Sequence, residues 1–184
     1  MGGSWLKPPL RGGHGGPVAR PPISIDERRA RLVAADLLSR RAWTRAELTR
    51  RLRRRGATAA IAADVVADLA ARGYVDDAAF ARHWVATRSA RGYGAARLRA
   101  ELRARGVATP LVEAAMAELD VPSVLARARA VAERRRPALR DVEPARAAAR
   151  LRDHLMRRGY SAGIAARVVR EVLGSPADPP TLIE

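Results

Sequence analysis

Residues 48–56 read LTRRLRRRG, five arginines set between two leucines and a glycine. Near-copies of the frame recur as LRAELRARG at 98–106 and LRDHLMRRG at 151–159. Aligned on Gly56, Gly106 and Gly159, the copies place leucines four and eight residues before each glycine: Leu48 and Leu52, Leu98 and Leu102, Leu151 and Leu155. An aliphatic residue follows five after it (Ile61, Leu111, Ile164), and apolar residues recur four and eight further on: Val65 and Leu69, Ala115 and Leu119, Val168 and Val172. Such spacing paints one apolar stripe on each of two helices, joined through a glycine suited to a left-handed helix end.

Each pair has a helix upstream, over 24–40, 77–89 (with Phe80, Trp84 and Val85) and 123–136. The chain is therefore expected to be all-α, an elongated tandem array of three three-helix repeats spanning 24–73, 74–120 and 121–173. Residues 1–23 and 174–184 are dense in glycine and proline and read as flexible tails. Helix starts are predicted from capping boxes at Ser24/Glu27 and Thr44/Glu47. Thr109-Pro110 and Glu143-Pro144 mark two more, the latter with a poorer cap.

Projected at about 100° per residue, Leu48 and Leu52 mark a buried side, while Arg50, Arg53 and Arg54 fall roughly 140–240° away, on the opposite face. A solvated face is what any helix needs, yet exposed arginines recur as Arg99 and Arg103 in the second unit and Arg152 and Arg157 in the third. These seven are the candidate contacts to phosphate or to acidic protein. The net charge of +16 favours a polyanionic partner. That charge is uneven: 12 arginines against 6 acids over 24–73, 7 against 6 over 74–120, and 13 against 5 over 121–173. The nearly neutral middle unit is expected to meet mainly protein, with its neighbours supplying the field.

Other chemistry finds little footing. Without cysteine there is no disulfide, thiolate metal site or cysteine nucleophile. Asp76-Asp77 resembles a carboxylate pair, but adjacent acids at a helix start diverge and serve as caps. His14, His83 and His154 lack the spacing of metal ligands. Trp43 and Tyr93 stand where they staple helices, by packing against Leu48 and Leu98. The glycines of 92–94 lack the lysine and hydroxyl residue of a phosphate loop. A helix-turn-helix reader of DNA sequence is disfavoured, because the chain has neither asparagine nor glutamine to pair with adenine. Charge interrupts every apolar stretch, so no membrane association is expected, and the chain reads as soluble and cytoplasmic. No enzyme activity, cofactor, metal or small-molecule substrate is expected.

The frame RAELTRRLRRRGATAAIAADVVADLAARGYVDDAAFARHWVATRSARGYGAARLRAELRARG, at 45–106, resembles the core of the RecX family, regulators of the RecA recombinase. It combines a Glu-Leu helix, a Gly-Tyr-x-Asp-Asp start, an aromatic-rich helix ending near Arg88, Gly-x-x-x-Leu and a second Glu-Leu helix. The resemblance covers about 26–173 and is strongest over 44–119. It implies tandem three-helix repeats lying in the groove of the RecA–DNA filament. It further implies modulation, mostly inhibition, of filament assembly, ATP hydrolysis and strand exchange, with single-stranded or duplex DNA touched directly or through the filament. The N-terminal tail and the proline-interrupted link RRRPALRDVEP (134–144) depart from the family pattern. The alternative is a general, sequence-nonspecific nucleic-acid-binding protein.

Overall fold

The computed structural model describes residues 24–174. They form nine α-helices: α1 (Glu27–Arg40), α2 (Arg45–Arg54), α3 (Ala59–Ala71), α4 (Asp77–Ala90), α5 (Ala95–Ala104), α6 (Thr109–Ala117), α7 (Val121–Arg135), α8 (Pro144–Arg157) and α9 (Ala162–Leu173). A 3-10 turn, Arg136–Leu139, follows α7. The expected tails at 1–23 and, but for Gly174, at 174–184 lie outside the described residues.

Three apolar clusters, one per three-helix unit, hold the array together. Leu48 and Leu52 meet Ala30, Ala34, Ala62 and Val65 in the first. Leu98 and Leu102 meet Ala81, Val85 and Val112 in the second, and Leu151 and Leu155 meet Ala128, Val131 and Val168 in the third. All six leucines are fully buried, each burial contributing roughly 1.5–3 kcal/mol. Alanines on α1, α4 and α7 allow the helices to approach closely around them.

The aligned glycines turn the chain as their spacing predicts. Gly56, Gly106 and Gly159 have φ of 98°, 82° and 93°. The next residue's N–H closes back to the leucine carbonyl four before the glycine: Ala57 to Leu52 and Val107 to Leu102 at 3.1 Å, Tyr160 to Leu155 at 3.2 Å. This is a Schellman closure, and it buries the Ala57, Val107 and Tyr160 side chains as it satisfies the helix end.

Two expected caps are corrected. Helix α1 is capped by Asp26, whose carboxylate accepts from Arg29 N–H at 2.7 Å, and Ser24 stands outside the helix. A carboxylate is the stronger acceptor and also suits the helix dipole. At α6 the N-cap is Ala108, and Thr109 is already helical. Leu111 and Val112 N–H groups bond to the Ala108 carbonyl, and Pro110 has no N–H, so the threonine hydroxyl finds no donor to cap. Thr44/Glu47 forms the full capping box. Glu143 caps better than expected, its carboxylate accepting from Ala145 and Arg146 N–H, both at 2.9 Å. Asp26, Asp76 and Asp120 thus cap α1, α4 and α7, so the first helix of every unit begins the same way.

Candidate functional site: an arginine-bearing row of helices

Helices α2, α5 and α8, which carry the seven candidate arginines, meet end to end in reverse chain order. The C-terminal turn of α8 receives the start of α5: Gly94 N–H donates to the Arg158 carbonyl at 2.8 Å and Ala96 N–H to the Gly159 carbonyl at 3.0 Å. The C-terminal turn of α5 receives the start of α2: the Thr44 hydroxyl donates to the Arg105 carbonyl at 2.7 Å. In both joints the electropositive start of one helix faces the electronegative end of another, and donors otherwise orphaned are matched to free carbonyls. Contact at the joints is close. A methyl group at Gly94 would overlap the Gly159 backbone, and one at Gly106 would overlap Ala46.

Side chains lock the first joint. Thr44 is fully buried. Glu47, whose carboxylate completes the Thr44 box, is bound by Arg105 at 2.5 Å, and the Arg105 guanidinium lies 3.9 Å from the centre of the Trp84 ring. Asp77 is not the second half of a carboxylate pair. It accepts from Arg45 N–H at 2.9 Å and so caps α2 of the preceding unit, whereas Asp76 caps its own helix through Ala78 and Ala79 N–H. Those backbone bonds, Ala79 N–H first, lower the Asp76 pKa.

The candidate arginines fall into different electrostatic settings. Arg50, Arg53 and Arg54 are exposed, and no acid pairs with them among the described residues. Together with Ala57, Thr58 and Ala59 at the start of α3 they line an open groove of ≈ 530 Å³. Arg152 and Arg157 on α8 are likewise exposed and unpaired among the described residues. Arg99 and Arg103 differ: both reach Glu113 on α6, at 2.9 Å and 3.3 Å, and Arg99 is half-buried. They share this one carboxylate, so half of their charge is compensated inside the unit.

Glu101 binds two more arginines of that unit. Burial works to raise its pKa but is outweighed by hydrogen bonds from Arg88 and Arg97, the Arg88 charge and the Trp84 N–H, which together hold the carboxyl at about 2. Arg88 binds it at 2.6 Å and Arg97 at 2.9 Å. Within residues 74–120, then, two glutamates hold four arginines, and the near-neutral count is completed by acids such as Asp76, Asp77 and Asp120 that cap helices.

Trp43 and Tyr93 pack against the first and second clusters. The Trp43 N–H donates to the Leu37 carbonyl at 2.9 Å, with Arg41 stacked on its ring. His83 is exposed and His154 half-buried, and His14 lies outside the described residues. No group of His, Asp or Glu among the described residues is arranged to hold a metal ion. No described helix is long and apolar enough to cross a membrane.

The joint residues Arg105, Arg158 and Asp77 were missed as connectors in the sequence reading. One signal did mark two of them, since an arginine precedes every aligned glycine, as Arg55, Arg105 and Arg158.

Comparison with known proteins agrees with this architecture. Residues 30–69, 76–116 and 123–169 match the family models described as the first, second and third three-helix domains of RecX. The regulatory protein RecX of Thermobifida fusca is 44% identical over 146 residues, covering 79% of each chain. That of Amycolatopsis mediterranei is 34% identical over 169 residues, covering 91% of this chain and 97% of its own. In fold, the crystal structure of RecX from Lactobacillus salivarius superposes with a TM-score of 0.73 at 17% identity, covering 79% of this chain and 96% of that one. With three domains matched in order and relatives aligned over most of its length, the chain belongs to the RecX family of regulatory proteins.

Proposed function

We propose that the protein is a non-enzymatic regulator, mostly an inhibitor, of the RecA recombinase, acting in recombination and DNA repair by lying against the RecA–DNA filament. The observation that carries this reading is the contrast along the helix row in a chain of the RecX family. Uncompensated arginines stand at its two ends, Arg50, Arg53 and Arg54 on α2 and Arg152 and Arg157 on α8. Between them lies a nearly neutral unit, with 7 arginines against 6 acids, in which Glu101 and Glu113 hold four of the arginines. Basic ends suit the phosphate-rich parts of a nucleoprotein filament, and a neutral centre suits its protein. Residues 24–174 would supply surface and charge, with no bond made or broken.

The test is the ATPase of RecA on single-stranded DNA. A regulator of the filament lowers the steady-state rate at amounts equimolar to RecA or below. If the rate is untouched until the protein is comparable to the DNA sites, simple coating of nucleic acid, favoured by the +16 net charge, becomes the better account.

A further inference from the structure

A pocket of ≈ 270 Å³ opens where the first unit meets the second, lined among others by Trp43, Gly73, Tyr74, Asp76, Phe80 and His83. Tyr74 is 66% exposed and belongs to neither neighbouring cluster. Trp43 and Phe80 are half-buried and His83 is exposed. Sites for drug-sized ligands run to roughly 300–1,000 Å³, so this one has room for one or two large side chains. Two of its rings are already engaged on one side: Arg41 lies 3.4 Å from the centre of the Trp43 ring, and Phe80 stacks on Trp84 with centroids 5.8 Å apart. No arginine lines the pocket, and its one charged group is the Asp76 carboxylate, which disfavours phosphate. Asp76 spends Oδ1 on the Ala78 and Ala79 N–H groups and pairs with no base among the described residues. The occupant that suits such a pocket is an aromatic side chain followed closely by a cation.

The chain carries that combination outside the described residues. Trp5-Leu6-Lys7 holds the only Phe, Trp or Tyr of residues 1–23 and the only lysine of the protein. Its tether ends at a fixed point, because Ile25 donates its N–H to the Gly56 carbonyl at 3.1 Å, just before the start of α1. The pocket lies at the other end of that helix, beside Trp43, so the 14 residues of α1 set a span of about 21 Å. Trp5 precedes Ser24 by 19 residues, and a flexible chain of that length has a root-mean-square reach of about 24 Å. A tether whose reach matches the span gives the highest effective concentration, in the millimolar range for short linkers. A contact of only millimolar strength would then be occupied about half of the time.

We propose that Trp5-Leu6-Lys7 docks in this pocket of its own chain, with the Trp5 ring against Tyr74 and Phe80 and the Lys7 ammonium at Asp76. The N-terminal segment then covers the boundary between the first and second units, and a partner reaching that boundary must displace it. The docking is separate from the arginine row and does not depend on the RecA reading.

Fluorine NMR of the full chain labelled with fluorotryptophan tests the contact. The protein has three tryptophans, Trp5, Trp43 and Trp84, and loss of a resonance in Trp5→Phe identifies the first. The Trp5 resonance should be displaced from that of the free peptide GSWLKPP and should stay so on tenfold dilution. Tyr74→Ala should move it at least half-way back to the peptide position, with far-ultraviolet circular dichroism unchanged because Tyr74 is outside the cores. Lys7→Glu should move it the same way, and less at high salt, where repulsion from Asp76 is screened. The proposal is overturned if the wild-type Trp5 resonance coincides with that of the peptide, which leaves the pocket open to another protein. It is overturned as well if the displacement fades on dilution, since the occupant is then the segment of a second copy. Full displacement retained in a folded Tyr74→Ala would place Trp5 elsewhere; should that variant unfold, an unmoved resonance in Lys7→Glu overturns the proposal instead.

Discussion

Leu48 and Arg50 lie two residues apart, yet one is sealed in a core and the other stands in solvent. That separation makes the arginines removable. Replacing Arg50, Arg53 and Arg54 together with alanine should leave α2 intact, because alanine is the better helix former and the leucine side is untouched. Binding to single-stranded DNA, followed by anisotropy over a salt series, should weaken, with a slope shallower by up to about three if all three meet phosphates. An unchanged slope with weaker hold on the RecA filament would place them against acidic protein. Arg99→Ala with Arg103→Ala should harm filament binding more than naked-DNA binding, and it also frees Glu113, so the surface becomes more acidic by two charges.

Glu101 makes a second residue-scale prediction. Its carboxyl is held at about 2, against 4.5 for an ordinary glutamate. The stabilisation its ion pairs give is thus fully present above about 4.5 and drains away as pH falls toward 2. Chemical denaturation between those limits should show stability falling with pH, and Glu101→Gln should flatten part of that fall while lowering stability at neutral pH. An unaltered pH profile in the variant would mean that Glu101 is not the group responsible.

At the scale of the element, the decisive features are helix ends rather than helix middles. Each joint of the row matches a helix start to a Schellman turn, and each has a place where only hydrogen fits. Gly94→Ala would drive a methyl into the Gly159 backbone although its own φ, −87°, suits any residue. The expected result is a loosened second joint, seen as faster proteolysis near 91–94 and a lower Tm, with far-ultraviolet circular dichroism unchanged. Gly106→Ala adds a left-handed φ of 82° to its clash and should be the more damaging of the two. At the first joint, Thr44→Ala removes a cap and strands the Arg105 carbonyl, costing about 1–2 kcal/mol. Wild-type stability in Gly94→Ala would show that the joint yields easily.

On the scale of the whole molecule, the three units are separate cores joined through narrow contacts, so charge and shape are decided at different places. The joints orient the units, while the outer faces of α2 and α8 carry the uncompensated charge. A variant with a loosened joint but intact arginines should therefore keep most of its naked-DNA affinity and lose hold on a filament, where several contacts must be made at once. Comparing the two affinities for Gly94→Ala and for the α2 triple variant should give opposite patterns. Equal losses on both ligands in both variants would count against this division of labour.

The repeat, the helical class, the three leucine pairs and the glycine turns were all legible in the sequence, because periodicity and left-handed helix ends are local properties written in spacing. The capping carboxylates were partly legible: Asp76 could be read as a cap, while Ser24 and Thr109 misled, since donors near a helix start are shared out by backbone geometry that composition does not express. The exposure of Arg50, Arg53 and Arg54 followed from their angle to Leu48. That Arg99 and Arg103 are bound by Glu113, that Asp77 caps a helix of another unit, and that Arg105 and Arg158 tie the units together could not be read in this way. Each depends on residues 10 to 67 positions apart meeting, and only the packing of three cores brings those partners within the few ångströms over which an ion pair or hydrogen bond acts.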